Sequence, residues 1–283
     1  MKVGLVLEGG GLRGAYTAGV LKWFVDNEIP IDYAVGISSG AMYLCYYMMA
    51  DGNLLKDTSV KWAGAEFEKG IKPLLREGNF VAYNKLFDVV LKSEAPFDLE
   101  KIKNSPIKGE FAVYDLADCT LEWHDTDNID KDFMLIKAAC TLPLASKSVI
   151  YKGTKLIDGG VVTMIPIERS IHNGCDKHIV ISTKPDGYVR PEASFGMKLL
   201  FAIFYRKYKK LRQAIDNRAK AYNREVGIID GLINEGKALR INPRVDSGIG
   251  RLGGDIEKLE QLFQSAYQDC EDRREEILEF VGK

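Results

Sequence analysis

At 283 residues and 46% hydrophobic content, the chain has ample material for one large α/β domain with helical additions. Its formal net charge of −1 supplies no global field of the kind that nucleic-acid binding uses. The five cysteines, Cys45, Cys119, Cys140, Cys175 and Cys270, are odd in number and scattered without a CxxC pair. That usage argues for reduced thiols in a cytoplasmic compartment and against a metal site.

The first apolar run, residues 3–7, reads as part of a buried strand and not as a signal peptide, and no later run approaches a membrane-spanning length. Glu8-Gly9-Gly10-Gly11-Leu12-Arg13-Gly14 follows at once, and residues 15–25 then read as a helix ended by Pro30. Gly9, Gly11 and Gly14 satisfy G-x-G-x-x-G, so a dinucleotide site has to be weighed. That reading wants an acid at the carboxyl end of the second strand, whereas the nearby acid, Asp32, stands at the strand's other end. Three consecutive glycines serve a second purpose equally well. They let several backbone N–H groups converge on one point, which is the chemistry of an oxyanion hole.

Residues 33–35 form a second apolar strand, Gly36-Ile37-Ser38-Ser39-Gly40 a turn, and residues 41–50 a helix-like run. Strand, turn and helix in that order make the context of a nucleophile elbow with Ser38 at its apex. Gly36 and Gly40 flank the serine because so tight a turn leaves no room for side chains, and the serine backbone is expected to be strained. The dipole of the following helix favours negative charge on the hydroxyl. An ordinary Gly/Ser turn would carry the same letters, so the motif rests on its context. Both loops follow parallel strands at their carboxyl ends and therefore face one crevice.

Residues 52–105 mix charges with Trp62, Phe67, Phe80, Phe87 and Phe97, and read as helices and loops. They serve either as part of a pocket or lid, or as packing. Residues 111–114 and 120–123 alternate apolar and polar around Asp115-Leu116-Ala117-Asp118, the pattern of a hairpin.

A serine nucleophile needs a base, and the three histidines are poorly placed to supply one. His178 stands at the start of an apparent strand, on the side of a parallel sheet away from the elbow. His172 lies near the end of a helix stopped by Gly174, which also faces the wrong side and suits a dipole partner. His124, in a strand or hairpin, escapes this polarity argument, but it precedes the candidate acid and so departs from the order Ser-Asp-His. Asp158 is the better candidate. Residues 154–157 form a short strand, and Asp158-Gly159-Gly160 turns sharply out of it, an arrangement also found in ordinary hairpin turns.

A triple-glycine loop, a GxSxG elbow and a DGG turn, in that order, resemble the three signature blocks of the patatin-like phospholipases. Ala138-Ala139-Cys140-Thr141-Leu142-Pro143-Leu144 looks like that family's Ala-rich helix end and proline upstream of the DGG turn. The resemblance covers most of residues 1–185, the catalytic region, and thins through residues 186–283, a mainly helical extension packed on the same domain. It implies a three-layer α/β/α fold with a mostly parallel central sheet, and a Ser-Asp dyad in place of a triad. Ser38 would attack the ester carbonyl and Asp158 would accept its proton, with the main-chain amides of Gly10 and Gly11, and that of Arg13 close by, binding the oxyanion. Neither cofactor nor metal is implied, and the substrates would be carboxylic esters of lipids. One departure from the common pattern is Glu8, where many members carry aspartate. Two alternatives stay open: a Ser-His-Asp esterase for small soluble esters, and a non-catalytic lipid-binding module that keeps the fold.

Residues 195–205 set apolar and aromatic side chains beside the five cations of residues 206–212. They read either as an amphipathic helix packed on the sheet with a solvated basic end, or as a helix lying on an anionic membrane surface. Residues 255–280 form a charged helix whose apolar stripe, Leu259, Leu262, Phe263, Ala266 and Tyr267, is expected to dock on the domain.

Overall fold

The computed structural model describes residues 1–64, 70–81, 85–250 and 255–283; Phe67 lies outside them. Alternation begins at β1 (Val3–Leu7) and α1 (Gly14–Asp26), β2 (Tyr33–Gly36) and α2 (Ser39–Met48). Short helices α3 (Gly52–Lys56), α4 (Ile71–Glu77) and α5 (Leu99–Lys103) fill the next stretch. The hairpin of β3 (Lys108–Asp115) and β4 (Thr120–Asp125) follows as expected, then α6 (Met134–Cys140), β5 (Val149–Tyr151) and β6 (Thr154–Asp158). The remainder is α7 (Ile167–His172), β7 (Lys177–Ile181), α8 (Phe195–Phe204), α9 (Lys209–Asn234), β8 (Ala238–Ile241), α10 (Ile256–Asp272) and α11 (Arg274–Val281).

The eight strands of the described residues join one sheet in the order β5-β6-β3-β2-β1-β7-β8, with β4 on β3. From β3 to β8 the strands run parallel. Strand residues alternate faces, so Leu5 and Leu7 enter a core with Tyr16, Leu44 and Phe263 from α1, α2 and α10. Val6, Val35 and Val180 enter a second core with Ile167, Tyr222 and Ile229 from α7 and α9. Helices thus cover both faces, the arrangement a parallel sheet of continuous apolar runs requires.

The register of β3 explains how distant parts of the chain meet. β4 holds one edge, from Glu110 to Asp115. The other edge is shared end to end: Gly36 of β2 stands opposite Phe111, and Asp158 of β6 stands opposite Val113. β2 and β6 run in opposite senses, so their carboxyl ends point at one another across two residues of β3, about 6.6 Å of rise.

Two helices are shorter than the sequence pattern suggests. Residues 195–212 are not one helix, because the chain turns between α8 and α9. There Tyr205 stacks on Phe201 at 5.3 Å, and Tyr205 and Tyr208 pack against the core instead of continuing an exposed face. Residues 255–280 also divide, between α10 and α11. Arg273 leaves the helical conformation with φ −111° and donates its Nη1 to the Arg240 carbonyl oxygen at 2.9 Å, and α11 turns so that Ile277 and Val281 are buried. The docking itself is as expected. Leu259, Leu262, Phe263 and Ala266 are buried, and the Tyr16 hydroxyl of α1 donates to Asp269 at 2.9 Å.

Candidate active site

Ser38 sits between β2 and α2 with φ 56° and ψ −125°, a conformation that costs a non-glycine residue about 1–3 kcal/mol. The surrounding structure holds it there by close packing. A Cβ on Gly36 would lie 2.5 Å from the Gly40 carbonyl, and one on Gly40 would lie 2.8 Å from the Leu7 carbonyl oxygen. The first turn of α2 therefore lies directly on β1 and β2, which forces the sharp reversal at the serine. Ser38 is 8% exposed, its hydroxyl caps no helix N–H, and its carbonyl oxygen accepts from the Cys140 thiol at 3.2 Å.

The glycine loop passes beside it. Gly9 presses its Cα against the elbow, since a Cβ there would come within 3.1 Å of Ser38 Cβ, and its N–H donates to Met164 O at 3.0 Å. Gly10 N–H donates to Ser39 Oγ at 3.1 Å. Gly11 takes φ +59°, open to glycine, and begins the short turn Gly11–Arg13 that feeds α1. Gly14 is held tight against Tyr43. Arg13 is buried, and its Nε has no hydrogen-bond partner among the described residues. Glu8, at the root of the loop, is buried and accepts the Thr183 N–H at 2.6 Å. Burial raises its pKa, opposed by the Thr183 N–H, by Arg13 and by the Tyr222 hydroxyl.

The third loop closes from β6. Asp158 is 1% exposed, and its Oδ1 accepts the Gly160 N–H at 2.7 Å. Its own N–H donates to Thr141 O at 3.0 Å. Gly159 lies flat on Ala112 of β3, and Gly160 lies beside Ile37 of the elbow. Cys140 bridges the two sides: its sulfur touches Ser38, and its thiol pKa is pushed far up by burial and then by the charge of Asp158. The glycine loop, the elbow and the acid turn are thus one cluster at the carboxyl edge of the sheet.

A cavity of about 510 Å³ opens from Asp158 and Gly160. Its walls are mainly apolar, with Leu142, Leu144, Val161, Met197, Phe201 and Ile215 among them, and Arg190 and Arg218 supply cations. Phe80 reaches this wall, whereas Phe87 and Phe97 are buried as packing and Trp62 is partly buried against the core. The contribution of α8 and α9 to the cavity was not legible in the sequence, because Arg218 within a highly charged helix reads as solvated.

His178 lies at the other end of the sheet, and His124 lies across β3 from Gly36. His178 pairs with Gly4 near the amino ends of the strands, bonds Ser170 Oγ at 2.8 Å, and has its pKa lowered by burial. His172 ends α7. His124 stands on β4 with its ring stacked on Phe111 at 6.0 Å. Asp32 accepts the Val3 N–H at 2.6 Å, at the amino end of β1, where no ribose of a nucleotide on the glycine loop would reach.

Comparison with known proteins agrees with this geometry. The model of the patatin-like phospholipase family matches residues 5–171, and a domain of unknown function, DUF6363, matches residues 208–282. The uncharacterized protein YjjU of Escherichia coli (strain K12) is 25% identical over 198 residues, which cover 65% of this chain and 52% of that protein. The chain therefore spans about half the length of this curated relative. Among solved structures, VipD from Legionella pneumophila is similar with a TM-score of 0.51 over 99% of this chain and 67% of that one. At 14% identity, that likeness speaks for the fold. With the family match spanning more than half of its length, the chain belongs to the patatin-like phospholipase family.

Proposed function

We propose that the chain hydrolyses carboxylic esters of lipids through a dyad of Ser38 and Asp158. The observation that carries this reading is the meeting of a strained serine and a buried carboxylate along one edge of β3, beside an apolar cavity. As Ser38 Oγ attacks the ester carbonyl carbon, its proton passes to Asp158 and the carbonyl oxygen becomes an oxyanion. The amides of Gly10 and Gly11, with Arg13 beside them, receive that charge once Ser39 releases the Gly10 N–H. Collapse of the intermediate expels the alcohol, which takes the proton back from Asp158 and leaves an acyl-serine. Water then repeats the sequence, giving its proton to Asp158, and as the acid leaves, Ser38 Oγ takes that proton back. The cavity beyond Asp158 holds the acyl chain. Burial of His178 at the amino ends of the strands favours the dyad over a histidine triad.

The expected result is that Ser38→Ala abolishes ester hydrolysis and fluorophosphonate labelling in a correctly folded protein. Undiminished turnover would remove the serine from the mechanism.

The same reading includes contact with an anionic lipid surface. Phe195 is 83% exposed and Phe204 69%, and Leu199, Leu200 and Ile203 join them on α8, while Met197 and Phe201 of that helix line the cavity. Arg206, Lys207, Lys209 and Lys210 follow, all exposed. Apolar side chains flanked by cations fit the headgroup boundary of such a surface. The chain should sediment with vesicles containing phosphatidylserine and not with pure phosphatidylcholine, and Phe204→Asp should abolish that binding. Equal binding to both vesicles would remove the electrostatic part. Among the described residues no helix is long and apolar enough to cross a membrane.

A further inference from the structure

The segment that matches the domain of unknown function touches the catalytic loops directly. Arg218, Tyr222 and Glu225 lie at spacings of four and three along α9, so they stand one above another on one face of the helix. Arg218 and Glu225 reach the segment from Gly160 to Ile165 that follows the acid turn, and Tyr222 reaches the side of the glycine loop. Arg218 donates its Nε to the Gly160 carbonyl oxygen at 2.6 Å, and its Nη2 lies 2.8 Å from the Met164 sulfur. The Tyr222 hydroxyl faces the carboxylate of Glu8, at the root of the glycine loop, and interacts with it. Glu225 accepts from Thr163 Oγ1 at 2.5 Å, from Ile165 N at 2.9 Å and from Met164 N at 3.2 Å. The Met164 carbonyl oxygen in turn receives the Gly9 N–H.

We propose that Arg218, Tyr222 and Glu225 are positioning residues that hold the glycine loop and the acid turn in register with one another. The C-terminal segment would then be a working part of the site and not an appendage to it. The argument for an external brace is physical. Gly9 and Gly10 on one side and Gly159 and Gly160 on the other lie tightly against neighbouring backbone and side chains, and Gly11 takes a positive φ, so none of the five carries a side chain. That absence deprives both loops of intrinsic stiffness. Gly160 is fixed at both ends, its N–H on Asp158 and its carbonyl on Arg218, so the aspartate inherits its placement from α9. Displacing a reacting group by about 1 Å costs on the order of 10²-fold in rate.

This proposal rests on the dyad reading, and two measurements on the full chain separate the fates of the two. The variants are Arg218→Gln, Tyr222→Phe and Glu225→Gln, with Arg218→Lys as the conservative control. Each of the first three should lower kcat by about 10- to 100-fold with KM within about twofold. Arg218→Lys should recover part of the loss, because an ammonium still reaches the Gly160 carbonyl. Amide hydrogen exchange should accelerate at residues 159–165 in Arg218→Gln and Glu225→Gln, and at residues 9–11 in Tyr222→Phe, with α1 and α10 unchanged. Exchange reads positioning whether or not an ester is cleaved, so a wild-type chain without Ser38-dependent turnover would sink the dyad while leaving this arm decisive. Unchanged exchange with kcat within about threefold of wild type would overturn the brace. Acceleration spread evenly over the sheet would overturn it too, since that describes general loosening. Should Glu225→Gln fail to fold, Tyr222→Phe, which removes one hydroxyl, decides.

Discussion

The two ends of the sheet carry similar polar side chains and treat them differently. At the amino-terminal half, under α7, Glu110 accepts from Tyr33 at 2.7 Å, from Arg169 Nε at 2.6 Å and Nη2 at 3.2 Å, and from Asn173 at 3.3 Å. His178 is paired with Ser170, and Asp32 with the Val3 N–H. This is a closed network. At the carboxyl edge the backbone is strained at Ser38, Arg13 Nε and Thr183 Oγ1 are buried with no hydrogen-bond partner among the described residues, and a cavity opens beside Asp158. Buried polar groups in folded chains are nearly always satisfied, so departures from that rule mark where binding or chemistry was selected over stability.

The sharpest way to break the comparison is to exchange one polar residue at each end. Asp158→Asn should lower kcat by about 10²–10⁴-fold, the range for removing a general base, at a small cost in stability. His178→Gln should reverse the pattern, losing Tm through its bond to Ser170 while keeping kcat within about threefold. Steady-state kinetics and thermal denaturation on the two purified variants check both halves. A near-normal Asp158→Asn beside an inactive His178→Gln would transfer the chemistry to the wrong end.

Most of the carboxyl edge was legible in the sequence. Ser38 between a strand and a helix, and three glycines after the first strand, carry local signatures, because the turn chemistry is set by residues adjacent in the chain. Asp158 was legible as a residue at a strand end. What the sequence could not express is that β6 meets β2 head-on along β3, since that depends on a register between segments more than 100 residues apart. The face of α9 was hidden for another reason. Arg218 and Glu225 belong to a helix with charges on every turn, and nothing local separates the two that turn inward from those that face water. The same limit explains α8. Its aromatic residues gave an amphipathic pattern, but only tertiary packing decides that Tyr205 ends the helix.

The amino-terminal network should respond in stability alone. Arg169→Met leaves the buried Glu110 carboxylate with only Lys108 Nζ, at 3.7 Å, as a cation and should cost about 3 kcal/mol, the lower part of the range for a broken buried pair, because Arg169 is partly exposed and Lys108 remains. Turnover per folded molecule should stay within about twofold of wild type. The acid side of the stability profile checks the cause. Burial alone would raise the Glu110 pKa, but hydrogen bonds from Arg169 and Tyr33 outweigh it and hold the group below its usual range. A depressed carboxyl pKa contributes stability above its unfolded value and loses it as pH falls through the folded one. Wild type should therefore lose more stability than Arg169→Met on acidification below about pH 4.5. Parallel acid profiles would mean that the guanidinium contributes packing and not charge.

The smallest expected effect lies at Glu225, where the brace from α9 meets the loop after the acid turn. Burial raises its pKa to about 7, against the pull of hydrogen bonds from Thr163, Ile165 and Met164, and the charge of Glu168 on α7 adds to the rise. Glu168 is itself paired with Arg224, one residue along α9, so its field on Glu225 is partly offset. From its ordinary value of 4.5 up to about 7, this carboxyl binds more protons in the folded chain than in the unfolded one. The sign is thus opposite to that of Glu110: the contribution is complete below the unfolded pKa and is lost as pH rises through the folded one. Between about pH 6 and about pH 8 the loss amounts to about 1 kcal/mol, or roughly 2 °C in Tm for a chain of this size. Glu225→Gln cannot titrate, so subtracting its Tm from that of wild type at each pH removes every other group from the comparison. The difference should fall by that amount across the interval. A difference independent of pH would show that Glu225 keeps one protonation state throughout, and the charged, hydrogen-bonded carboxylate would then be the form that holds Met164 and Ile165.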